Sequence, residues 1–393
     1  MVVLQRLAHI ARHRPGILIA VLLAKAVLIV AGLAILPAAF PELGARSADA
    51  LRGVVGVQAV SRLESISNSM RDQLNQYRFG HGTALPQINW AAKGQPPLSS
   101  AAAQPAERTT HSAKGGTLAP IPSIVNAAPQ IGWQAFGSAA GGTPSMARAM
   151  LLVDPHRSYA GVAVVRMDLT RLSLHVMPGI IEPAHPAGID QVIQSLGMVP
   201  PSDWARLAVA FNGGFKAVHG RYGMMDNRLT LLPPIDGVAT VAIYRDGSVK
   251  MGAWNKDIFP SPDMVAFRQN CPPLIDAGQI NPALGTDASR AWGFSHNTDI
   301  TWRTGLGLTQ DGRTLIYAVG NGTNARFLAQ ALQEAGAYWA MQLDINQYYA
   351  QFDTYSQAGA GQLVTQRLLD QMTDNPKLFL TPSVRDFFYV TMR

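Results

Sequence analysis

The chain has 393 residues, which allows two or three domains at roughly 100 to 200 residues each, and 48% of them are hydrophobic. The formal net charge of +7 comes from residues 1–145, which hold 12 Lys and Arg against 5 Asp and Glu, whereas residues 146–393 hold 20 of each sign. A domain that binds nucleic acid concentrates Lys and Arg on its folded surface. The neutral larger part therefore excludes that class, and we predict no nucleic-acid partner.

The single cysteine, Cys271, excludes an intramolecular disulfide and any zinc site built from several cysteines. Two prolines follow it, and no histidine lies nearby in the sequence to activate the thiol. We interpret Cys271 as a small buried apolar residue.

The N-terminal segment contains twenty apolar residues, 17–36, interrupted only by Lys25. In a helix this stretch reaches roughly 30 Å, the thickness of the bilayer core. Three basic residues precede it: Arg6, Arg12 and Arg14. The positive-inside rule then predicts a cytoplasmic segment 1–16, a signal anchor 17–36, and a remainder in the periplasm or at the cell surface. The alternative is a signal peptide cleaved near residues 38–39 or 48–50.

Two segments separate this anchor from the main domain. Residues 47–78 place apolar side chains at a helical period with charged residues between them, which predicts an amphipathic stalk helix. Its apolar stripe either packs on the main domain or pairs with a second copy. Residues 91–145 are rich in Ala, Pro, Gly and Ser, and we interpret them as a poorly ordered linker.

The pattern of a compact domain begins at residue 147 and continues to residue 393. Short β-rich runs flank turns at 168–171, 246–247 and 311–312, two of them Asp-Gly. Helices are predicted at 189–196, 203–206 and 324–335, the last one capped by Thr323 or Asn324 and ended by Gly336. Hairpins with separated helices predict an α+β domain with a mixed, mostly antiparallel β-sheet and flanking helices.

Polar groups gather after one apolar strand, where Asn212-Gly213-Gly214 makes either a tight turn or a loop whose amides face a ligand. The ionisable residues that follow are unusually dense for a chain with 15% charged residues: Lys216, His219, Arg221 and Asp226. This density favours the ligand interpretation.

Two further candidates lie at strand ends. Arg303 precedes an apolar strand and is either a surface residue or a clamp for carboxylate or phosphate. Asp344 follows an apolar strand and is either a turn residue or a functional carboxylate, with Asn346 close by. The loop 320–324 before a helix has amides that could bind an anion, but it lacks the lysine and spacing of a P-loop.

The order of these motifs resembles the phosphodiester glycosidase family. The shared pattern comprises Asn212-Gly213-Gly214-Phe215, an Asp-Gly hairpin, Arg303-Thr304-Gly305-Leu306-Gly307 with a second Asp-Gly hairpin, a helix, and Leu343-Asp344. The resemblance covers about residues 152–393. Lys216 stands where the family commonly has Phe, and residues 345–348 read Ile-Asn-Gln-Tyr where the family commonly has Gly-Gly-Gly-Ser. The chain therefore looks like a divergent branch.

The resemblance implies a hydrolase that cleaves the glycosidic bond of a sugar-1-phosphodiester. Together with the predicted anchor, it leads us to expect a membrane-anchored extracytoplasmic enzyme that acts on envelope or polysaccharide material. Asp344 would act at the anomeric carbon, Arg303 would hold the phosphate, and His219 would be an acid or a further phosphate contact. The substrate-binding set would be Asn212, Gly213, Gly214, Lys216, Asp226 and Asn346.

Two further expectations concern partners and cofactors. The alternative function is a non-catalytic envelope module that binds an anionic glycan or supports surface assembly. Self-association through the stalk helix is a separate expectation for either function. No cofactor is required by the sequence, although oxygens of Asp344, Asn346 and Asp226 suit a calcium-like ion.

Overall fold

The structure is a computed structural model that describes residues 56–79, 90, 132–138, 144–157, 159–184, 195–285, 291–293, 298–357 and 363–393. The predicted cytoplasmic segment 1–16 and the predicted anchor 17–36 lie outside the described residues, as does most of the predicted linker 91–145. Within the described ranges, no helix is both long enough and apolar enough to cross a bilayer.

The described elements are two α-helices and eighteen strands. Helix α1 spans Val57–Phe79 and helix α2 spans Ala325–Glu334. The strands are β1 (Gln134–Ser138), β2 (Pro144–Leu151), β3 (Val162–Asp168), β4 (Leu172–Met177), β5 (Leu207–Asn212), β6 (Met224–Asp226), β7 (Leu229–Leu232), β8 (Ala239–Tyr244), β9 (Val249–Ala253), β10 (Met264–Gln269), β11 (Ile275–Asp276), β12 (Gln279–Ile280), β13 (Thr301–Leu308), β14 (Thr314–Thr323), β15 (Trp339–Gln342), β16 (Phe352–Gln357), β17 (Leu363–Arg367) and β18 (Phe387–Met392). Short 3-10 helices lie at Pro201–Arg206, Ala217–His219 and Pro282–Gly285.

The strands form three sheets rather than the single sheet that the sequence predicts. The orders are β1-β2-β3-β14-β13-β15-β11-β12, β7-β6-β10-β8-β9 and β17-β16-β5-β18-β4. Every pair of neighbouring strands in these three sheets is antiparallel, and parallel pairing within the described residues is limited to an isolated bridge between Trp254 and Ile258. The antiparallel character is confirmed, whereas a single mixed sheet is wrong.

Strands of the eight-stranded sheet are buried on both faces, which explains why they read as continuous apolar runs. In β3, Ala163, Val165 and Met167 belong to the main core, while Val162 and Val164 belong to a second cluster that includes helix α2. The helix contributes its buried leucines to that second cluster. The other two sheets contribute their strands to the main core, so one hydrophobic core joins all three sheets.

Two predicted hairpins are confirmed and one is wrong. Strands β8 and β9 pair across the turn at 246–247, and β13 and β14 pair across the turn at 311–312. Strands β3 and β4 form as predicted, but β3 pairs with β2 and β14, whereas β4 pairs with β18. The turn at 168–171 therefore passes the chain from one sheet to another. Local alternation predicts a strand but does not choose its partner.

Helix α2 begins and ends as the sequence predicts. The Oδ1 atom of Asn324 accepts a 2.9 Å hydrogen bond from the Phe327 amide, which makes Asn324 the N-cap. Gly336 has a φ of 100°, a backbone conformation that favours glycine after a helix. The predicted helix at 203–206 is a 3-10 helix, and the predicted helix at 189–196 lies largely outside the described residues.

Helix α1 packs on the main domain through one face. Asp72 accepts two hydrogen bonds from the guanidinium of Arg157, at 2.8 and 2.6 Å, and Ser65 donates to Asp299 at 2.6 Å. Phe79 packs against Tyr159 with ring centroids 5.8 Å apart. The helix packs on the domain through a face that carries Ser65 and Asp72, whereas three residues of the predicted apolar stripe are exposed: Ile66, Met70 and Leu74.

Candidate active site

The site lies where three strand ends meet. Strands β5 and β18 are antiparallel neighbours in register Asn212 to Phe387, so the end of β5 lies beside the residues that precede β18. Those residues are Arg385 and Asp386. Strand β15 is followed by Asp344, whose amide donates to the Gly213 carbonyl at 3.1 Å. The pairing of β5 with β18 and this hydrogen bond between two sheets thus bring together residues that are far apart in the sequence.

A cleft of about 490 Å³ opens at this junction. Its lining combines charged residues with an apolar and aromatic wall: Ile181, Glu182, Asn212, Gly213, Gly214, Lys216, Asp344, Tyr348, Tyr349, Asn375, Leu378, Phe379, Thr381, Pro382, Ser383, Val384, Arg385 and Asp386. This volume is in the range of small-molecule sites, which are typically about 300–1,000 Å³.

The central feature of the cleft is an ion pair between Arg385 and Asp344. The Nη2 atom of Arg385 donates to Oδ2 of Asp344 at 2.6 Å and to the Gly214 carbonyl at 2.9 Å, and the guanidinium lies 4.4 Å from the centre of the Tyr349 ring. Burial alone lowers the pKa of Arg385, but the carboxylates of Asp344 and Asp386 outweigh burial, so that its pKa is raised. Arg385 is therefore a fixed, permanent cation at the cleft.

A second ion pair, between Asp386 and Arg268, adjoins the cleft. Asp386 binds Arg268 through a 2.8 Å contact from Nε, and both side chains are fully buried. Asp386 also accepts from the amide of Gly214 at 3.1 Å, and its carbonyl accepts from the amide of Gly213 at 3.2 Å. The two amides that the sequence assigns to a ligand are therefore engaged by Asp386.

The two glycines are required by close approach rather than by positive φ. A Cβ atom on Gly213 would lie 2.2 Å from Oδ2 of Asp386, and one on Gly214 would lie 2.9 Å from Nη2 of Arg268. Neither glycine is among the residues with positive φ. The Gly-Gly pair thus allows the buried ion pair to lie directly against the backbone.

Asn212 and Thr304 fix the backbone of the Asp344 loop. The Nδ2 atom of Asn212 donates to Oγ1 of Thr304 at 2.9 Å, and that hydroxyl donates to the Asp344 carbonyl at 2.6 Å. The Oδ1 atom of Asn212 accepts from Tyr317 and from the Gln351 amide. Both polar atoms of the Asn212 side chain are engaged within the protein, so its role is to position the site.

The segment Arg268-Gln269-Asn270 at the end of β10 is buried and connects several elements of the site. Arg268 reaches Asp386 and the carbonyl of Phe215, while Asn270 accepts from the Phe215 amide at 3.0 Å and donates to the Gln342 carbonyl at 2.8 Å. This segment therefore connects the loop after β5 to the end of β15 and to the residue before β18.

Glu182 is a third carboxylate at the cleft, besides Asp344 and Asp386. Its Oε2 atom accepts from the amides of Ala184 and Ala217 at 3.1 and 2.9 Å. It also contributes to the raised pKa of Arg385 through its charge. The backbone around Glu182 holds one of its oxygens in place and thereby sets the direction of the carboxylate.

The structure brings together five of the nine residues that the sequence assigns to the site. Lining the cleft are Asn212, Gly213, Gly214, Lys216 and Asp344, whereas Arg303, His219, Asp226 and Asn346 do not line it. Asn346 still supports the site, because its amide donates to Oδ1 of Asp344 at 2.9 Å. His219 ends a 3-10 helix beside the loop, and Asp226 lies in β6 of another sheet.

Arg303 is placed in the interior rather than at the cleft. It is fully buried, and its Nη1 atom donates to Oε1 of Gln342 at 2.7 Å and to the Trp292 carbonyl at 3.0 Å. Burial lowers the pKa of Arg303 to about 10, with partial compensation by the charge of Asp299. Arg385, and not Arg303, is therefore the arginine that lines the cleft.

The remaining predictions concern Asp226 and metal. Burial raises the pKa of Asp226 to about 6. Because Asp226 lies apart from the Asp344 loop, the three oxygens predicted for calcium do not share the cleft lining. Across the residues that the structure describes, no group of three or more His, Cys, Asp and Glu side chains is arranged to hold a metal ion.

Sequence reasoning missed three residues of the site: Glu182, Arg385 and Asp386. Arg385 and Asp386 lie immediately before the apolar run Phe387–Val390. That position is the same kind of signal as Asp344 after its strand and Arg303 before its strand. A polar pair at a strand end near the C-terminus could therefore have been found by the same reasoning.

Comparison with known proteins confirms the resemblance seen in the sequence. Residues 205–344 match the family model described as phosphodiester glycosidase. The matched range includes Asn212 and Asp344 and ends before Arg385. No curated protein matches the chain.

Among the solved structures that match the chain, two illustrate the low level of similarity. One is the zebrafish N-acetylglucosamine-1-phosphodiester alpha-N-acetylglucosaminidase catalytic domain, auto-inhibited by its pro-peptide, at 17% identity and a TM-score of 0.42, covering 69% of this chain and 93% of that one. The other is a hypothetical protein from Synechocystis at 14% identity and a TM-score of 0.36, covering 63% of this chain and 62% of that one.

Proposed function

We propose that this chain, whose residues 205–344 match the phosphodiester glycosidase family, is a hydrolase that cleaves the glycosidic bond of a sugar-1-phosphodiester. The reaction takes place in the cleft around Asp344 and Arg385. The observation that carries the proposal is the buried contact between these two side chains in a cleft of small-molecule size. The carboxylate of Asp344 can stabilise positive charge at the anomeric carbon, and the guanidinium of Arg385 can bind the phosphate.

The chemistry of the leaving group explains why two side chains, Asp344 and Arg385, suffice for the cleavage. Ordinary glycosidases protonate a poor alkoxide leaving group with a carboxylic acid. A phosphomonoester has a second pKa of about 6 and leaves as an anion without a proton from the protein. It needs a cation, and Arg385 supplies a fixed one with a planar fork of donors.

Asp344 supplies the complementary charge at the sugar. Breaking the bond between C1 and the phosphate oxygen leaves positive charge on the sugar ring, which a nearby carboxylate stabilises. Water then adds to C1, and its proton passes to Asp344 or to solvent. The Asn346 amide and Arg385 orient the two oxygens of Asp344, so that the carboxylate is held before substrate binds.

The test compares variants of the purified full-length protein on a panel of nucleotide sugars, in which a substituted phosphate is esterified to C1 of the sugar. We expect Asp344→Asn to lower kcat by about 10²-fold or more, since it removes a charge that acts in the transition state. Arg385→Lys should raise KM and lower kcat/KM, because lysine lacks the planar fork. The exposed ion pair Arg245–Asp263 provides matched controls, Arg245→Lys and Asp263→Asn. Full turnover by folded Asp344→Asn would refute the proposal.

The alternative is a module that binds an anionic glycan at the same cleft without cleaving it. The feature that favours it is Tyr348, which lines the cleft at the position where the family commonly has serine. Wild-type protein that binds a nucleotide sugar but turns over none of the panel would support this alternative.

Membrane attachment through residues 17–36 and an extracytoplasmic location belong to the same proposal. They rest on the apolar segment and on the arginines before it. Fractionation of cells that express the full chain, followed by alkaline extraction of the membranes, tests them, and release into the soluble fraction would contradict anchoring.

A further inference from the structure

An exposed apolar patch lies at the rim of the cleft. Its four residues are Ile180, Ile181, Leu196 and Val384, which are 53%, 62%, 48% and 41% exposed. Single exposed apolar residues are ordinary, but a cluster at the mouth of a cleft usually contacts another molecule.

Backbone hydrogen bonds assemble this patch from three segments. The amide of Ile180 donates to the Ser383 carbonyl at 2.9 Å, and the amide of Glu182 donates to the Val384 carbonyl at 2.9 Å. The amide of Ser383 donates to the Gly197 carbonyl at 2.7 Å, which holds the neighbouring Leu196 beside them. The patch is therefore a built surface rather than a chance grouping of side chains.

The apolar patch extends into the cleft as far as the cationic side chain of Arg385. Ile181 and Val384 line the cleft as well as the patch, and Val384 immediately precedes Arg385. The cleft wall continues the apolar surface through Leu378, Phe379 and Pro382. A phosphodiester held by Arg385 has one ester oxygen bound to the sugar and a second one bound to another group, and that second group has an apolar wall and rim beside it.

We infer that the second ester group of the substrate is an apolar chain, so that the substrate class is a sugar-1-phosphoryl lipid. This inference rests on the proposed function. The sugar and phosphate occupy the polar floor at Asp344 and Arg385, and the chain leaves the cleft over Ile181 and Val384. A nucleoside or a second sugar as the ester group would leave this apolar surface in water.

Chain length should therefore control affinity. Burial of one methylene contributes about 0.8 kcal/mol, which is about a fourfold gain in affinity for each carbon that reaches the patch. Polar ester groups of the same length gain nothing from this surface. The gain should stop once the chain extends beyond the patch.

The first experiment measures binding of methyl, butyl and octyl phosphate to the full-length protein by calorimetry, below the micelle concentration of each ligand. We expect octyl phosphate to bind at least about tenfold more tightly than methyl phosphate. Ile181→Ser and Val384→Ser should reduce this octyl-to-methyl ratio. Phe259→Ser is the matched control, because Phe259 is 55% exposed and does not line the cleft. Equal affinity for all three ligands, or a ratio that Ile181→Ser and Val384→Ser leave unchanged, would overturn the inference.

The second experiment separates this inference from the proposed function. Methyl and octyl diesters of glucose 1-phosphate are offered as substrates to the wild-type protein. Turnover of both diesters with equal kcat/KM would overturn the apolar subsite and leave the hydrolase proposal intact. Length-dependent binding of alkyl phosphates without turnover of either diester would instead refute the hydrolase proposal and leave the apolar subsite standing.

Discussion

Arg385 and Asp344 form an ion pair with a 2.6 Å contact, and their side chains are only 9% and 8% exposed. The pair joins the second residue before β18 to the second residue after β15. Because Arg385 also contacts Tyr349 and the Gly214 carbonyl, its side chain is held by more than the ion pair alone. Replacement of Arg385 and replacement of Asp344 should therefore lower the free energy of unfolding by different amounts.

We predict that Arg385→Met destabilises the protein more than Asp344→Asn does. Removing Arg385 leaves the buried charge of Asp344 without its cation, which typically costs about 3–5 kcal/mol. In Asp344→Asn the side chain retains an oxygen that can accept from the Asn346 amide, and Arg385 retains the charge of Asp386 nearby. Urea unfolding of both variants and of the wild type measures the difference, and equal losses of stability would contradict it.

The local part of this site could be predicted from the sequence, but its assembly could not. Asn212 and Asp344 stand at strand ends, where polar residues after apolar runs give a local signal, and both line the cleft. Arg303 gives the same signal but is buried against Gln342, because it is the third residue of β13, a strand that is buried on both of its faces. The local pattern does not specify which face of the sheet carries the cleft.

The elements of the fold also divide into those that depend on neighbouring residues and those that depend on distant segments. The N-cap at Asn324 and the two Asp-Gly hairpins depend on neighbouring residues and were confirmed. The pairing of β5 with β18 joins distant parts of the chain, and nothing local specifies it. Arg385 reaches the site only through that pairing, which is why the motif order pointed to Arg303 instead.

We predict that Arg303 acts on stability rather than on phosphate binding. Arg303→Met preserves much of the side-chain volume but leaves Oε1 of Gln342 and the Trp292 carbonyl without this donor, which should cost about 3 kcal/mol. At a temperature where the variant is folded, its KM for a nucleotide sugar should stay within about twofold of the wild type. A large rise in KM in folded Arg303→Met would restore the phosphate role that the sequence suggests.

We predict that Gly213→Ala is strongly destabilising although its backbone φ is ordinary. The added Cβ would lie 2.2 Å from Oδ2 and 2.6 Å from the carbonyl oxygen of Asp386, so the buried pair of Asp386 with Arg268 must shift. Disruption of a buried pair typically costs about 3–5 kcal/mol. Gly132→Ala is the matched control, since a Cβ there meets nothing within 4 Å. Thermal unfolding measures both variants, and equal melting temperatures would show that the backbone yields at no cost.

The final prediction concerns Asp353, a fully buried carboxyl group in β16. Burial raises the pKa of Asp353 to about 7, although a hydrogen bond from Gln351 and the charge of Arg367 oppose the rise. In the unfolded chain the pKa of an aspartate is about 3.9. Between these two values the folded state binds more protons than the unfolded state, so the contribution of this group to stability is full below about pH 4 and falls as the pH rises to about 7.

Replacement of Asp353 by asparagine should therefore remove a pH dependence. Asparagine keeps an oxygen that can accept from Nε2 of Gln351, where the wild-type contact is 2.6 Å, but it carries no charge at any pH. We expect the free energy of unfolding of the wild type to fall relative to that of Asp353→Asn between about pH 4 and pH 7. The fall should be up to about 1.4 kcal/mol for each unit by which the pKa of Asp353 in the folded state exceeds its pKa in the unfolded state. Urea unfolding at about pH 4, 5.5 and 7 measures this difference, with the exposed Asp263→Asn as the control. Because other titrating groups are shared by both proteins, parallel curves for wild type and Asp353→Asn would mean that the buried carboxyl keeps an ordinary pKa.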